Sequence, residues 1–321
     1  MLMLNHADLR AVLDMPTCIE AMRRVFLDLA QGHFFLPLRG RAMPEGSPNW
    51  ITWMPVLRTS SPRRWALKQM VVTPANSELR GLDPIQGMVV LQDGDDGRII
   101  AIADAPTLTT LRTAAVSALA TRALARADSS VVAIIGTGIQ GRSHIEALRC
   151  VLPQATIRLW GRTPENARLL AEDARCEQAA SIEEAVRDAD VVCTVTASLE
   201  PIIRREWLKP GCHVNAVGSS RPVARELDAA TIRAASLFVD RRESALNEAG
   251  EIVAALREGA IVPSHIQAEL GEVLSGRSPG RRSPDEFTLY KSLGLGAQDL
   301  GALEAAVDSA RRLGHGTAVA W

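Results

Sequence analysis

Residues 131–141 read VVAIIGTGIQG, an apolar run that meets a G-x-G-x-x-G pattern with no spacer. The β-branched residues before the first glycine predict a strand, and Ile145, Leu148 and Leu152 after the last one recur at helical spacing. A strand that turns into a helix through this pattern leaves few folds open. Gly136 permits the tight turn, Gly138 lets the backbone approach a pyrophosphate, and Gly141 lets helix and strand pack closely. The helix N-terminus then offers unpaired N–H groups and a positive dipole end to phosphate. Gly136, Thr137, Gly138, Ile139, Gln140 and Gly141 are therefore read as cofactor-binding, with an ordinary glycine-rich turn as the alternative.

The rest of the chain supports a nucleotide fold around this loop. SSVVAIIG, ATIRLWG, ADVVCTVTAS, CHVNAVG and ASLFVD are apolar, β-branched runs, most of them separated by helix-like segments. Strands apolar on both faces that alternate with helices predict a parallel sheet covered on both sides. From Phe34 to Asp104 the rhythm differs: WITWMPV, WALKQMVVT, GMVVLQD and RIIAIAD are strand-like runs broken by Pro, Gly and Asp, which predicts a mixed α+β unit. The acidic DGDDG at 93–97 lacks the ligand spacing of a calcium loop and reads as a hairpin turn. Capping boxes are expected at Thr17–Glu20 and Ser181–Glu184, and SGRSPGRRSP (275–284) reads as a solvated loop. The last segment, GAQDLGALEAAVDSARRLGHG, is an amphipathic helix expected to follow the α/β series without a further strand and to return to the N-terminal unit.

Charge and cysteine usage narrow the partners. With 36 basic and 37 acidic residues and no basic stripe interleaved with aromatics, nucleic acid is excluded as a partner. The five cysteines are widely spaced, without a CxxC pair, and read as reduced core residues; no metal site is expected. No apolar run reaches bilayer length and the N-terminal residues do not form a secretory signal, so the expectation is no membrane and a cytoplasmic protein.

The end of the second strand of the α/β series bears on which nucleotide is bound. NAD-preferring folds place an acid there for the ribose 2′-OH, but this chain reads LWGRTP, with Gly161 in the acid's place and then Arg162 and Thr163. A guanidinium there suits a 2′-phosphate, so NADP(H) is expected over NAD(H), with Arg162 and Thr163 as contacts. A solvated loop arginine is the alternative.

One charge stands apart. Between Asp104 and Arg122 the only charged residue is Arg112, in the apolar helix sequence LTTLRTAAVSALA. Read alone, Arg112 either meets an anionic ligand or forms an internal salt bridge with Asp104 or another acid, because an unpaired buried guanidinium is expensive. LTTLRTAAVSALA, GTGIQGRSHIEAL, NAVGSSRPVARELD and YKSLGLGAQDL, in this order, resemble the ornithine cyclodeaminase/mu-crystallin family over nearly the whole chain. The resemblance implies an α/β protein whose Rossmann-type doubly wound parallel sheet (113–294) is inserted in a second α+β substrate-binding and dimerisation domain (1–112 plus 295–321), acting as a homodimer. It implies that Arg112 binds a substrate carboxylate, with Lys68 and Arg39 beside it, although Arg41 would face the same side of a strand as Arg39. Read alone, Lys68 is one more strand lysine pointing at water. The resemblance makes Asp228 and Lys68 catalytic, where Asp228 alone reads as a helix N-cap. It places Thr113, Thr196, Ala197, Ser198, Val217 and Ser292 at the cofactor and Leu293 at the substrate; plain packing is the alternative for the last two.

The chemistry implied is an NAD(P)-dependent exchange of hydride at the C–N carbon of an amino or cyclic imino acid. The carboxylate clamp holds the substrate, and Asp228 manages the proton that makes the C=N bond electrophilic. A pyrroline-2-carboxylate-type ketimine reductase suits the missing acid at Gly161 best. The alternatives are a true ornithine cyclodeaminase that recycles bound NAD, an alanine dehydrogenase-like enzyme, and an NADPH-dependent small-molecule binding protein. No acid can be placed around Ile51, Thr52 and Trp53 to receive ornithine's distal ammonium.

Overall fold

A computed structural model describes residues 1–218 and 220–320. The chain forms two compact units, Met1–Arg112 with Leu295–Trp321, and Thr113–Gly294; the boundary falls inside the helix Ala105–Leu124.

The first unit is an eight-stranded, mostly antiparallel sheet in the order Thr317–Ala318, Leu2–Leu4, Ile99–Asp104, Ile85–Asp93, Arg64–Val72, Trp50–Arg58, Phe34–Phe35, with Gly40–Ala42 also pairing with Trp50–Arg58. Its inner face presents Met54, Val56, Ala66, Lys68, Val89, Leu91, Ala101 and Ala103, all buried, and packs against the helix Gly296–Leu313. That helix packs in turn on Met15–Ala30, whose Cys18, Met22 and Val25 are buried along one face. DGDDG is the expected hairpin turn, in which Asp93 Oδ1 accepts the N–H of Asp95 at 3.0 Å. The capping box expected at Thr17 is not formed: Asp14 is the N-cap, accepting the Thr17 N–H at 2.8 Å, and Thr17 already lies in the first turn. The first helix, His6–Val12, carries a reciprocal capping box of Asn5 and Asp8.

The second unit is an eight-stranded parallel sheet, in the order Glu177–Gln178, Thr156–Trp160, Val131–Ile135, Val191–Thr194, His213–Ala216, Thr288–Lys291, Ser236–Val239, Ile266–Glu269. The chain winds outward from Val131–Ile135 in one direction, then returns to its other side at Val191–Thr194 and winds the opposite way. The fold is therefore α/β and doubly wound, and the G-x-G-x-x-G turn leaves the central strand at the switch point, where such sheets bind ligands. Two strands, Ile266–Glu269 and Thr288–Lys291, correct the expectation that none follows ASLFVD, and the second inserts between His213–Ala216 and Ser236–Val239. At the expected capping box of Ser181, its hydroxyl accepts the Glu184 N–H at 3.0 Å, while the Glu184 carboxylate takes the N–H of Ala180 instead. The 275–284 loop is not wholly solvated either, because Arg281 donates to the carbonyl of Leu124 at 2.9 Å and to Thr288 Oγ1 at 3.0 Å. None of the five cysteines forms a disulfide, but only Cys18, Cys193 and Cys212 are buried; Cys150 is exposed and Cys176 half-buried. Among the described residues no helix is long and apolar enough to cross a membrane.

Candidate functional site: a buried cation pair and a phosphate loop

In the first unit the strand Arg64–Val72 turns Ala66 and Lys68 inward, so Lys68 is only 2% exposed and does not point at water as the sequence alone had it. Its Nζ lies 2.8 Å from Asp299 Oδ2. Asp299 sits in the first turn of the helix Gly296–Leu313, a favoured place for an acid at the positive end of a helix dipole. That helix start is pressed onto the sheet at Gly296, where a Cβ would come within 3.3 Å of the Met54 carbonyl.

Arg112 reaches the same carboxylate. Its Nε donates to Asp299 Oδ1 at 3.1 Å and its Nη1 to Gln298 Oε1 at 3.0 Å. The acid that accompanies the lone arginine is thus Asp299 and not Asp104, which instead accepts the Thr107 N–H at 2.9 Å and starts the helix. Burial pushes the Lys68 ammonium down to about 8 despite Asp299, and the positive charges of Arg112 and Arg39 push the same way. Arg39 therefore acts on Lys68, whereas Arg41 stacks over the Trp50 ring at 4.5 Å. Two buried cations thus share one buried carboxylate.

In the second unit the phosphate loop has the shape its glycines imply. Gly136 adopts φ 129°, and a Cβ there would lie 2.9 Å from the Val195 carbonyl of the neighbouring strand end; at Gly141 a Cβ would collide with the Gly136 carbonyl. Gly138 is the N-cap of the helix Ile139–Val151, makes no side-chain cap and opens onto free space. Ile139 is exposed, and Gln140 Oε1 is buried without a hydrogen-bond partner among the described residues. These residues fit a dinucleotide pyrophosphate. Gly161 is buried against Thr137: a Cβ would approach Thr137 Cγ2 to 2.4 Å, so a larger residue there requires the Thr137 side chain to shift. Arg162 and Thr163 are exposed, and Thr163 is the N-cap of the helix Pro164–Ala174 without a side-chain cap bond.

The other residues read at the strand ends are tied together by a group the sequence reading missed. Buried Glu226 accepts from Thr194 Oγ1 at 2.8 Å, from the N–H and hydroxyl of Thr196, each at 2.7 Å, and from the Gly218 N–H at 2.8 Å. It thereby sets the backbone around Thr196 and Val217 at two adjacent strand ends. Burial raises its carboxyl, opposed by Lys291 and these hydrogen bonds. Ala197 is exposed, and the Ser198 hydroxyl donates to the Glu200 carbonyl at 2.6 Å. Asp228, two residues beyond Glu226, is half-buried and N-caps the helix Ala229–Ala234, its Oδ1 accepting the Thr231 N–H at 2.7 Å. Ser292 is buried, its hydroxyl unpartnered among the described residues, and the N–H groups of Leu293 and Gly294 donate to Asp240 Oδ2 at 2.9 and 2.8 Å. Thr113 is also buried. Lys68, Arg112 and Arg39 thus belong to the first unit, and Asp228 with the loop residues to the second.

A doubly wound sheet with this phosphate loop, joined to a unit that stores two buried cations, defines an α/β protein of the dinucleotide-binding class. The chain belongs to the ornithine cyclodeaminase/mu-crystallin family, whose model matches residues 1–313. It is similar to the ketimine reductase mu-crystallin of Mus musculus, 44% identical over 226 residues, which covers 70% of this chain and 69% of the relative. It is 33% identical to the Δ1-pyrroline-2-carboxylate reductase of Bacillus cereus over 307 residues, 94% of each. Among solved structures, the Δ1-pyrroline-2-carboxylate reductase of Thermococcus litoralis, in complex with NADH and L-proline, superposes with a TM-score of 0.93 at 33% identity, covering 99% of this chain and 100% of that one.

Proposed function

We propose that the chain is an NAD(P)-dependent ketimine reductase that reduces a cyclic imino acid of the pyrroline-2-carboxylate type. The observation that carries this reading is the buried Lys68–Asp299–Arg112 cluster, with cations in excess, in a chain whose relatives are named as ketimine and pyrroline-2-carboxylate reductases. Lys68 and Arg112, with Arg39 at the rim, bind the substrate carboxylate. A nicotinamide cofactor held by the 136–141 loop would supply hydride to the C=N carbon, and Asp228 provides the proton held at the imine nitrogen. Thr196, Ala197, Ser198, Val217, Thr113 and Ser292 line the cofactor, and Leu293 meets the substrate.

The decisive assay follows absorbance at 340 nm. Loss of NADPH with pyrroline-2-carboxylate supports the reductase. Proline and ammonia from ornithine without net cofactor change would instead make the chain a cyclodeaminase, and a stable ligand complex without any turnover would make it a binding protein. The strand segment Ile51–Trp53 carries no acid for a distal ammonium, which favours the reductase.

The finer cofactor preference we assign to NADP(H), because Arg162 is exposed beside an uncapped helix start and Gly161 stands where an acid would meet the ribose 2′-OH. Arg162→Ala is expected to weaken NADPH binding about 10- to 100-fold, the worth of a charge-assisted hydrogen bond. NADH binding should be unchanged; equal losses for both cofactors, read by fluorescence titration, would remove Arg162 from this role.

We also propose a homodimer. Pro55, Leu67, Val90, Ile102 and Met3 stand in register across five strands on the outer sheet face of the first unit, flanked by exposed Trp53, Trp65 and Met88. An apolar stripe of this extent marks an interaction surface. Leu67→Lys is expected to convert the dimer to monomer in sedimentation velocity, and a wild-type monomer would refute the assignment. Cysteines without disulfides suit a reducing, cytoplasmic setting.

A further inference from the structure

The carboxylate cluster of the first unit contains an acid that cannot itself bind a carboxylate substrate. Asp299 is 1% exposed and uses both oxygens on its neighbours: Oδ2 at 2.8 Å from Lys68 Nζ, Oδ1 at 3.1 Å from Arg112 Nε. Gln298, fully buried, steadies the same guanidinium through Oε1. An anion facing an incoming anion repels it, so the position of Asp299 needs another explanation. Two cations held in a dry interior repel each other and resist desolvation, and a single bridging carboxylate is what lets both remain charged before a ligand arrives.

The geometry points to Asp299 as the positioning residue of the substrate site: a resident counter-ion that fixes Lys68 and Arg112 in one arrangement and leaves a positive charge for a carboxylate ligand to neutralise. This rests on the reading of the chain as a reductase of imino acids. The charged groups that face Lys68 are Asp299 from the C-terminal helix, Arg112 from the helix Ala105–Leu124, and Arg39 from the segment before Gly40–Ala42. Asp299 is the one among them that keeps the ammonium charged; the other two act against it.

The chain offers a direct probe, because Lys68, Lys209 and Lys291 are its only lysines. Protein labelled with 13Cε-lysine gives three resolvable signals, assigned by single substitution and titrated by NMR without cofactor or substrate. The Lys68 midpoint in the wild type should lie near 8, and Asp299→Asn should lower it by about one pH unit or more, the usual effect of removing an adjacent opposite charge. Asp299→Glu should restore most of the wild-type midpoint. If Asp299→Asn does not fold, Asp299→Ser, which leaves room for water, carries the same measurement. An unchanged midpoint in these neutral variants overturns the counter-ion role.

A second arm adds L-proline to the wild type. A rise in the Lys68 midpoint shows that the added carboxylate takes up the remaining charge. No response to L-proline, with the Asp299→Asn shift intact, would overturn the substrate reading while leaving the counter-ion in place. In steady state Asp299→Asn should raise KM for pyrroline-2-carboxylate about tenfold or more and move the alkaline limb of kcat/KM to lower pH; a loss confined to kcat with an unmoved limb would indicate a merely structural acid.

Discussion

Asp228→Asn should lower kcat about 10²- to 10⁴-fold while leaving cofactor affinity and thermal stability close to wild type. Asp228 caps a helix and, in the proposed reaction, handles the imine proton. Its Oδ1 accepts the Thr231 N–H and caps the helix Ala229–Ala234, and an asparagine side-chain oxygen performs that task nearly as well. What asparagine cannot do is take or give a proton to the imine nitrogen, and positioned proton transfer contributes a factor of this size. Asp228→Ala removes both functions and should add a stability loss of about 1 kcal/mol to the same kinetic defect. The pair of variants separates the roles: near-normal turnover in Asp228→Asn, with a stability loss only in Asp228→Ala, would leave Asp228 as a cap and nothing more. Glu226, two residues earlier, holds two adjacent strand ends with four accepted hydrogen bonds.

The parallel sheet was legible because its strands are apolar on both faces, so no choice of phase was needed to recognise them. The phosphate loop was legible because three glycines and a preceding strand have one economical use. The antiparallel sheet shows where pattern reading fails. In the strand Arg64–Val72 the large apolar residues Trp65, Leu67 and Val71 face outward, while Ala66 and Lys68 face the helix. A period-two reading that sends the larger hydrophobes inward turns this strand over and leaves Lys68 in water. In the proposed homodimer the partner copy would cover this apolar outer face. Asp299 was hidden differently: it lies 187 residues from Arg112, in a stretch whose sequence shows only the periodicity of an amphipathic helix. Glu226 joined Thr194 and Gly218 only after the sheet had brought two strand ends together. The strand Thr288–Lys291 is hidden in the sequence because it ends in a lysine, which the fold buries against Glu251 at 3.2 Å.

Lys68→Met should raise KM for pyrroline-2-carboxylate about 10- to 100-fold, the worth of a charge-assisted hydrogen bond in a buried site, and should erase a pH dependence that the wild type displays. Wild-type kcat/KM is expected to fall above about pH 8 as Lys68 loses its proton and the clamp loses a cation; the variant, having no proton to lose there, should lack that limb. Stability moves with the opposite sign. The unfolded chain holds its lysine proton up to about pH 10.4, so between about 8 and that value the unfolded state binds more protons than the folded one, and the Lys68 contribution to stability rises with pH. Denaturant unfolding at pH 7.5 and pH 10 should therefore show the wild type gaining on Lys68→Met by up to about 3 kcal/mol. Activity that falls while this difference grows belongs to a buried lysine whose charge serves the ligand at a cost to the fold. If activity and the stability difference fell together, alkaline loosening of the chain would account for both, and Lys68 would have no place in the clamp.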